Sequence, residues 1–137
     1  MYEIKPRGLW RGKKDNGKWV WGDLLVTPNS EGRRSYSIME RKAVAACYKV
    51  SPLTLGECTG LKDKCGKLIF EGDILETVKY NTPGKKYVVE YDKRTAAFIG
   101  TDYPRNRYFT TFDGDSDMFK IVGNVHDNIE LVLKGGK

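Results

Sequence analysis

Residues 59–75 read TGLKDKCGKLIFEGDIL, and how this stretch divides decides the fold class. Lys62-Asp63-Lys64-Cys65-Gly66-Lys67 has the composition of a tight turn, with Gly66 able to take a positive φ. Leu68, Ile69 and Phe70 then read as a short core strand, and Ile74-Leu75 as the start of a second one. Between them, Glu71-Gly72-Asp73 changes the chain direction at glycine, and Asp73 is suited to accept a backbone N–H that fixes where the second strand begins. A chemical alternative is a general acid and base, because residues two apart on one strand face the same side. No second polar cluster offers such a pair a partner site, so Glu71 and Asp73 are read as scaffold.

Working outward, period-two patterns and turn residues continue along the chain without a sustained helical period. Asp15-Asn16-Gly17 is a turn signal leading into a strand at 18–21. Gly22-Asp23 reads as an interruption, followed by a strand at 24–27, a loop at 28–32, and strands at 35–39 and 43–50. Residues 41–47, rich in alanine, also fit a helical turn. Ser51-Pro52 suggests a short helical turn with Ser51 as cap and Pro52 in the first position. Further strands are expected at 67–70, 73–80, 86–91, 96–99, 108–112 and 119–125, with turns at 81–84, 92–94 and 113–117. The pattern predicts a mainly β fold, a small barrel or sandwich with at most short helical turns.

The 137 residues suit one domain, 1–137, with a basic N-terminal β segment at 1–50 and a barrel segment at 51–137. A chain of this size buries about two-thirds of its unfolded surface, enough for a core without a metal or disulfide. Hydrophobic residues at 39% and charged residues at 31% exclude a disordered chain. The formal charge is +6, and the whole excess lies in residues 1–50, with eleven Lys/Arg against five Asp/Glu. Lys5, Arg7, Arg11, Lys13, Lys14 and Lys18 supply six of those cations, a cluster that attracts a polyanion or serves as a solvated face. No membrane-length apolar run or signal peptide is expected, and a reducing cytoplasm is the expected compartment.

Four blocks, residues 3–25, 50–56, the quoted motif at 59–75 and IVGNVHDNIEL at 121–131, together resemble the YopX family of phage and prophage proteins. Glu3-Ile4-Lys5 with Arg7-Gly8, then DNGKWVWGDLL at 15–25, is similar to its opening. VSPLTLG at 50–56 follows, then the quoted motif, and IVGNVHDNIEL at 121–131 is similar to its closing block. The resemblance marks Thr59, Gly60, Leu61, Asp63, Gly66, Glu71, Gly72, Asp73, Gly123 and Asn124 as structural motif positions. Pro6, Cys58, Cys65 and Ile129 depart from the family pattern, which suggests that Cys58 and Cys65 are not ligands the family needs. The resemblance implies an SH3-like barrel, a phage or prophage origin and a cytoplasmic setting. It carries no catalytic role for Glu71, Asp73 or Asn124.

Other candidate sites are weaker. His126 is the only histidine, and no G-x-S-x-G motif accompanies it, so a surface or capping role is expected. Cys47, Cys58, Cys65 and His126 form a Cys₃His set, but their spacing matches no zinc ribbon or finger, and no metal or other cofactor is expected. Asp113, Asp115 and Asp117 alternate as in a calcium loop, yet Met118 and Asn124 fall where an EF-hand has Gly and Glu. Trp10, Trp19 and Trp21 are interleaved with Arg7, Arg11, Lys13, Lys14 and Lys18, as in single-strand binders. Sharing one strand face, Trp19 and Trp21 are expected to pack together in the core, leaving Trp10 exposed. The leading functional expectation is a non-enzymatic interaction module with a host or phage protein partner and self-association into a homo-oligomer. Nucleic-acid binding through Lys5, Arg7, Trp10, Arg11, Lys13, Lys14 and Lys18 is the alternative.

Overall fold

The computed structural model describes residues 3–4, 9–42, 44, 46–78, 84–102, 107–109 and 118–133. The fold is mainly β, in two antiparallel sheets, with one short α-helix among the described residues. The chain divides into two compact units, Met1–Cys58 and Thr59–Lys137.

In the first unit, β1 (Glu3–Ile4), β2 (Trp10–Lys13), β3 (Trp19–Pro28), β4 (Arg34–Met39) and β5 (Cys47–Lys49) lie in the order β5-β4-β3-β2, with β1 also paired to β3. The turn between β2 and β3 forms where Asp15-Asn16-Gly17 predicts it. Gly17 takes φ +86°, and the Lys18 backbone N–H donates to Asn16 Oδ1 at 3.0 Å. A two-residue asparagine loop-back recurs in the next turn, where Asn29 Oδ1 accepts the Glu31 and Arg33 N–H groups.

The interruption expected at Gly22-Asp23 does not occur, and β3 runs through it for ten residues. Gly22 is there for room. A Cβ at that position would stand 2.1 Å from the Met39 carbonyl oxygen, so glycine permits the backbones to approach closely. Of the segment expected at 43–50, the strand covers only Cys47–Lys49; residues 43 and 45 lie outside the described residues.

A 3-10 turn over Pro52–Thr54 has Pro52 in its first position, as expected, but the Ser51 side chain makes no cap. Thr54 acts in its place: its hydroxyl donates to the Ser51 carbonyl at 2.7 Å and accepts the Lys13 N–H at 2.9 Å. The core of this unit is Val20, Leu24, Ile38 and Val50, with Trp10, Val26, Tyr36, Tyr48 and Leu55 packed against it. Each fully buried aliphatic of this kind contributes about 1.5–3 kcal/mol.

The strand β6 (Gly56–Lys62) contains the point of division. Gly56 and Glu57 pair with β2, and β6 neighbours β7 (Leu68–Phe70) further on. The second unit adds β8 (Asp73–Thr77), β9 (Lys86–Asp92), β10 (Ala97–Asp102), β11 (Arg107–Phe109), β12 (Phe119–Asn124) and α1 (Glu130–Leu133). Its five-stranded sheet has the order β11-β10-β9-β8-β12. Among the described residues both sheets are open.

Both faces of β8 are covered. Leu75 packs with Ile69, Val89 and Phe119, while Ile74 packs with Val88 and Val132. That double burial explains why β8 is apolar at consecutive positions rather than alternating. Where strands were expected at 73–80 and 108–112, β8 ends at Thr77 and β11 covers Arg107–Phe109. Residues 79–83 and 110–117 lie outside the described residues, including the three aspartates of the calcium-loop reading.

Candidate functional site

The motif at 59–75 is assembled by hydrogen bonds that run inward. Thr59 Oγ1 donates to the Ile69 carbonyl at 2.9 Å and accepts the Leu61 N–H, holding β6 against β7. Gly60 and Gly66 both take φ +83°. Leu61 packs against the Ile69–Leu75–Val89–Phe119 core.

Asp63, only 2% exposed, is the hub. Its Oδ1 accepts the N–H groups of Cys65 and Lys67, both at 2.9 Å, which shapes the turn that the composition predicts. Its Oδ2 accepts the Ile121 N–H at 3.0 Å, 58 residues away on β12. The Lys64 N–H donates to the Phe119 carbonyl at 2.9 Å, a second tie between turn and strand. Hydrogen bonds to a carboxylate contribute about 1.5–3 kcal/mol each, so Asp63 is a structural anchor of the first rank.

Asp73 behaves as expected at the start of β8. It is buried, and its Oδ2 accepts the Phe70 N–H at 2.7 Å. Glu71 and Asp73 do not share one strand, which corrects the geometry supposed for an acid–base pair. Glu71 and Gly72 form the turn between β7 and β8, and only Asp73 is a strand residue. Gly72 takes φ +93°; its N–H donates to the Val89 carbonyl and its carbonyl accepts the Val125 N–H.

The closing block completes this bonding. Asn124 Oδ1 accepts the N–H groups of His126 and Asp127, both at 3.0 Å, and Asn124 pairs with Asp73 across β8 and β12. Asn128 Oδ1 accepts the Asn124 N–H at 3.2 Å and lies 2.6 Å from where a Cβ on Gly123 would be. Glycine at 123 therefore leaves space for an asparagine side chain. His126 is exposed in the turn that follows β12.

Cys47 and Cys65 are exposed and Cys58 is half-buried, and no group of three or more metal-ligating side chains forms among the described residues.

The basic and aromatic residues are arranged differently from the expectation. Lys5 and Arg7 lie outside the described residues. Trp10 is not the exposed ring; it packs on the Val20–Leu24–Ile38–Val50 core, with its Nε1 buried and lacking an acceptor among the described residues. Trp19 and Trp21 do share a face, but it is the outer one. Val20, Gly22 and Leu24 take the inward positions of β3, leaving Trp19 half-buried and Trp21 54% exposed.

On that outer face Arg11 pairs across the strands with Trp21, and Lys13 with Trp19. The Arg11 guanidinium carbon lies 4.8 Å from the Trp19 ring centroid and Lys13 Nζ lies 5.7 Å from it. Such contacts contribute about 0.5–1 kcal/mol at exposed sites and fix the ring. Lys14 turns instead to Tyr48, at 4.3 Å from its centroid, and Lys18 is exposed in the hairpin turn.

Beyond Trp21, Arg41 donates from Nε and Nη2 to Asp23 Oδ1 at 2.9 and 2.6 Å. That hydrogen bond, and the carboxylate charge behind it, raises the Arg41 pKa further above its ordinary value. Arg41 and Lys49, which faces the same way as Leu25 and Ser37, extend the cationic surface that the count of N-terminal lysines and arginines pointed to without locating.

A family model described as YopX protein matches residues 9–133. No curated protein matches the chain.

Proposed function

The chain belongs to the YopX family, and from that premise we propose that it is a non-enzymatic, phage- or prophage-encoded interaction module of the bacterial cytoplasm. Its working surface is the outer face of β2 and β3. The observation that carries this reading is Trp21, a large aromatic residue 54% exposed in the middle of a regular strand. An indole held open to water on a rigid strand sacrifices the stabilisation of burial, which a binding role accounts for.

A non-enzymatic role is supported by where the motif carboxylates are used. Asp63 and Asp73 are buried and bonded to backbone N–H groups, the arrangement of chain-directing residues rather than of groups that exchange protons with a substrate. An SH3-like closure of the second unit belongs to the same proposal. It is supported by the Lys64–Phe119 and Asp63–Ile121 hydrogen bonds, which join the turn after β6 to β12. Self-association is part of the proposal too, with light scattering as its measurement. No helix among the described residues is long and apolar enough to cross a membrane.

Affinity capture from bacterial host lysate tests the central claim. Wild-type protein should retain a defined partner that Trp21→Ala loses while remaining folded. Identical recovery by the two proteins would refute the assignment of this face.

A further inference from the structure

We infer that the partner of the β2–β3 face is single-stranded nucleic acid, with a base stacked on Trp21 and phosphates drawn to Lys13 and Lys49, while the Arg11 guanidinium, whose Nε and Nη2 are buried against Trp19, adds its charge to the face. The inference rests on the interaction-module reading and names its ligand class.

Charge complementarity is the first support. The outward positions of β2 to β5 carry Arg11, Lys13 and Lys49, and the acidic residue among them, Asp23, is bonded to Arg41. The face is therefore positive around the exposed ring, and a polyanion gains from every phosphate it lays there.

The aromatic geometry is the second. Trp19 is held by two cations, while Trp21 stands two residues along the same strand with much of its surface open. A rigid indole flanked by cations is the combination that single-strand binders use, and it accepts any base because every base has a π-face. Duplex bases are already stacked and cannot use the ring in that way.

A protein partner fits less well. Lysine is depleted in protein interfaces, whereas here Lys13 lies directly across from Trp19 and Lys49 faces the same way.

Fluorescence anisotropy with the full chain tests this, using labelled oligothymidylate, oligouridylate and a mixed-sequence duplex of about fifteen nucleotides, near the upper site size of such binders. Either single strand, or both, should bind at least several-fold tighter than the duplex, and comparing the two separates DNA from RNA preference. Engagement of two or three phosphates gives a log–log salt slope of about −1.4 to −2.1. Trp21→Ala should weaken single-strand binding roughly tenfold, within the range of one lost base stack. Trp21→Phe should restore part of that loss, and Lys13→Glu with Lys49→Glu should flatten the salt slope. Circular dichroism of each variant establishes that the fold is retained.

Equal affinity for single strand and duplex, or indifference to Trp21→Ala, overturns the inference. If oligonucleotides fail to bind while Trp21-dependent, nuclease-resistant capture of a protein persists, this inference falls and the interaction-module reading stands. If neither is seen, both fall.

Discussion

Two regions of this chain invert the usual relation between chemistry and position. In the motif around Asp63 and Asp73, charged side chains are buried and the main chain consumes their bonding capacity. On the β2–β3 face, the Trp21 indole is exposed, and the Arg11 and Lys13 cations lie on the neighbouring Trp19 ring. Both contain residue types that suggest a functional site. The destination of each polar group distinguishes them: carboxylates bonded to backbone N–H groups direct the chain, whereas an open ring among cations remains available to a ligand. Stability should therefore be sensitive in the first region and binding in the second.

The comparison is tested most severely at Asp63. Asp63→Ala leaves three backbone N–H groups without their acceptor and should cost about 4–5 kcal/mol in urea unfolding, near the lower bound for three such bonds. Asp63→Asn keeps one carbonyl oxygen but presents an amide where the other oxygen accepted a bond, so an intermediate loss of about 1–3 kcal/mol is expected. Full stability of Asp63→Ala would remove the scaffold interpretation.

Gly72→Val comes next. The space there is adequate, since a Cβ would meet its nearest neighbours at 3.6 Å, but φ +93° is unsuited to a branched side chain. A cost of about 1–3 kcal/mol follows from that backbone angle. Asp73→Asn should be milder, because an amide oxygen can still accept the Phe70 N–H. An equal or greater loss of melting temperature for Asp73→Asn would show that the carboxylate charge matters and would revive the catalytic alternative.

On the other side of the comparison, Trp21→Ala should change folding stability by no more than about 0.5 kcal/mol, as for surface positions without special contacts. A loss several times larger would place Trp21 among the structural residues. The smallest expected effect is that of Cys47→Ser with Cys65→Ser, two exposed thiols, which should leave both the melting temperature and the zinc content of the purified protein unchanged. Stoichiometric zinc lost on substitution would overturn that expectation.

Local chemistry made much of this fold legible. Asp15-Asn16-Gly17 specifies its hairpin through residues adjacent in sequence, and the Asp73 bond spans only three positions. The Asp63–Ile121 bond was not legible, because an aspartate before a glycine turn announces the turn and says nothing of a strand 58 residues further on. The orientation of β3 is hidden in the sequence for another reason. WVWGDLL places apolar residues on both faces, so periodicity alone does not choose the inward one. Gly22 makes the choice: it shares a face with Val20 and Leu24, and its missing side chain admits the Met39 carbonyl. Once that face is inward, both tryptophans of β3 point outward and Trp10, opposite Gly22, turns to the core.

The long reach of Asp63 also orders events in time. The β2–β3 hairpin closes through neighbouring residues and can form as soon as that part of the chain exists, since local contacts carry little loop-closure entropy. The Asp63–Ile121 bond closes a loop of 58 residues, so it is expected to form on the native side of the folding barrier. Weakening it should speed unfolding while leaving the folding limb of a chevron nearly unmoved. The carboxylate that shapes the turn locally is thus also expected to act as a latch that lengthens the time the second unit, once folded, stays folded.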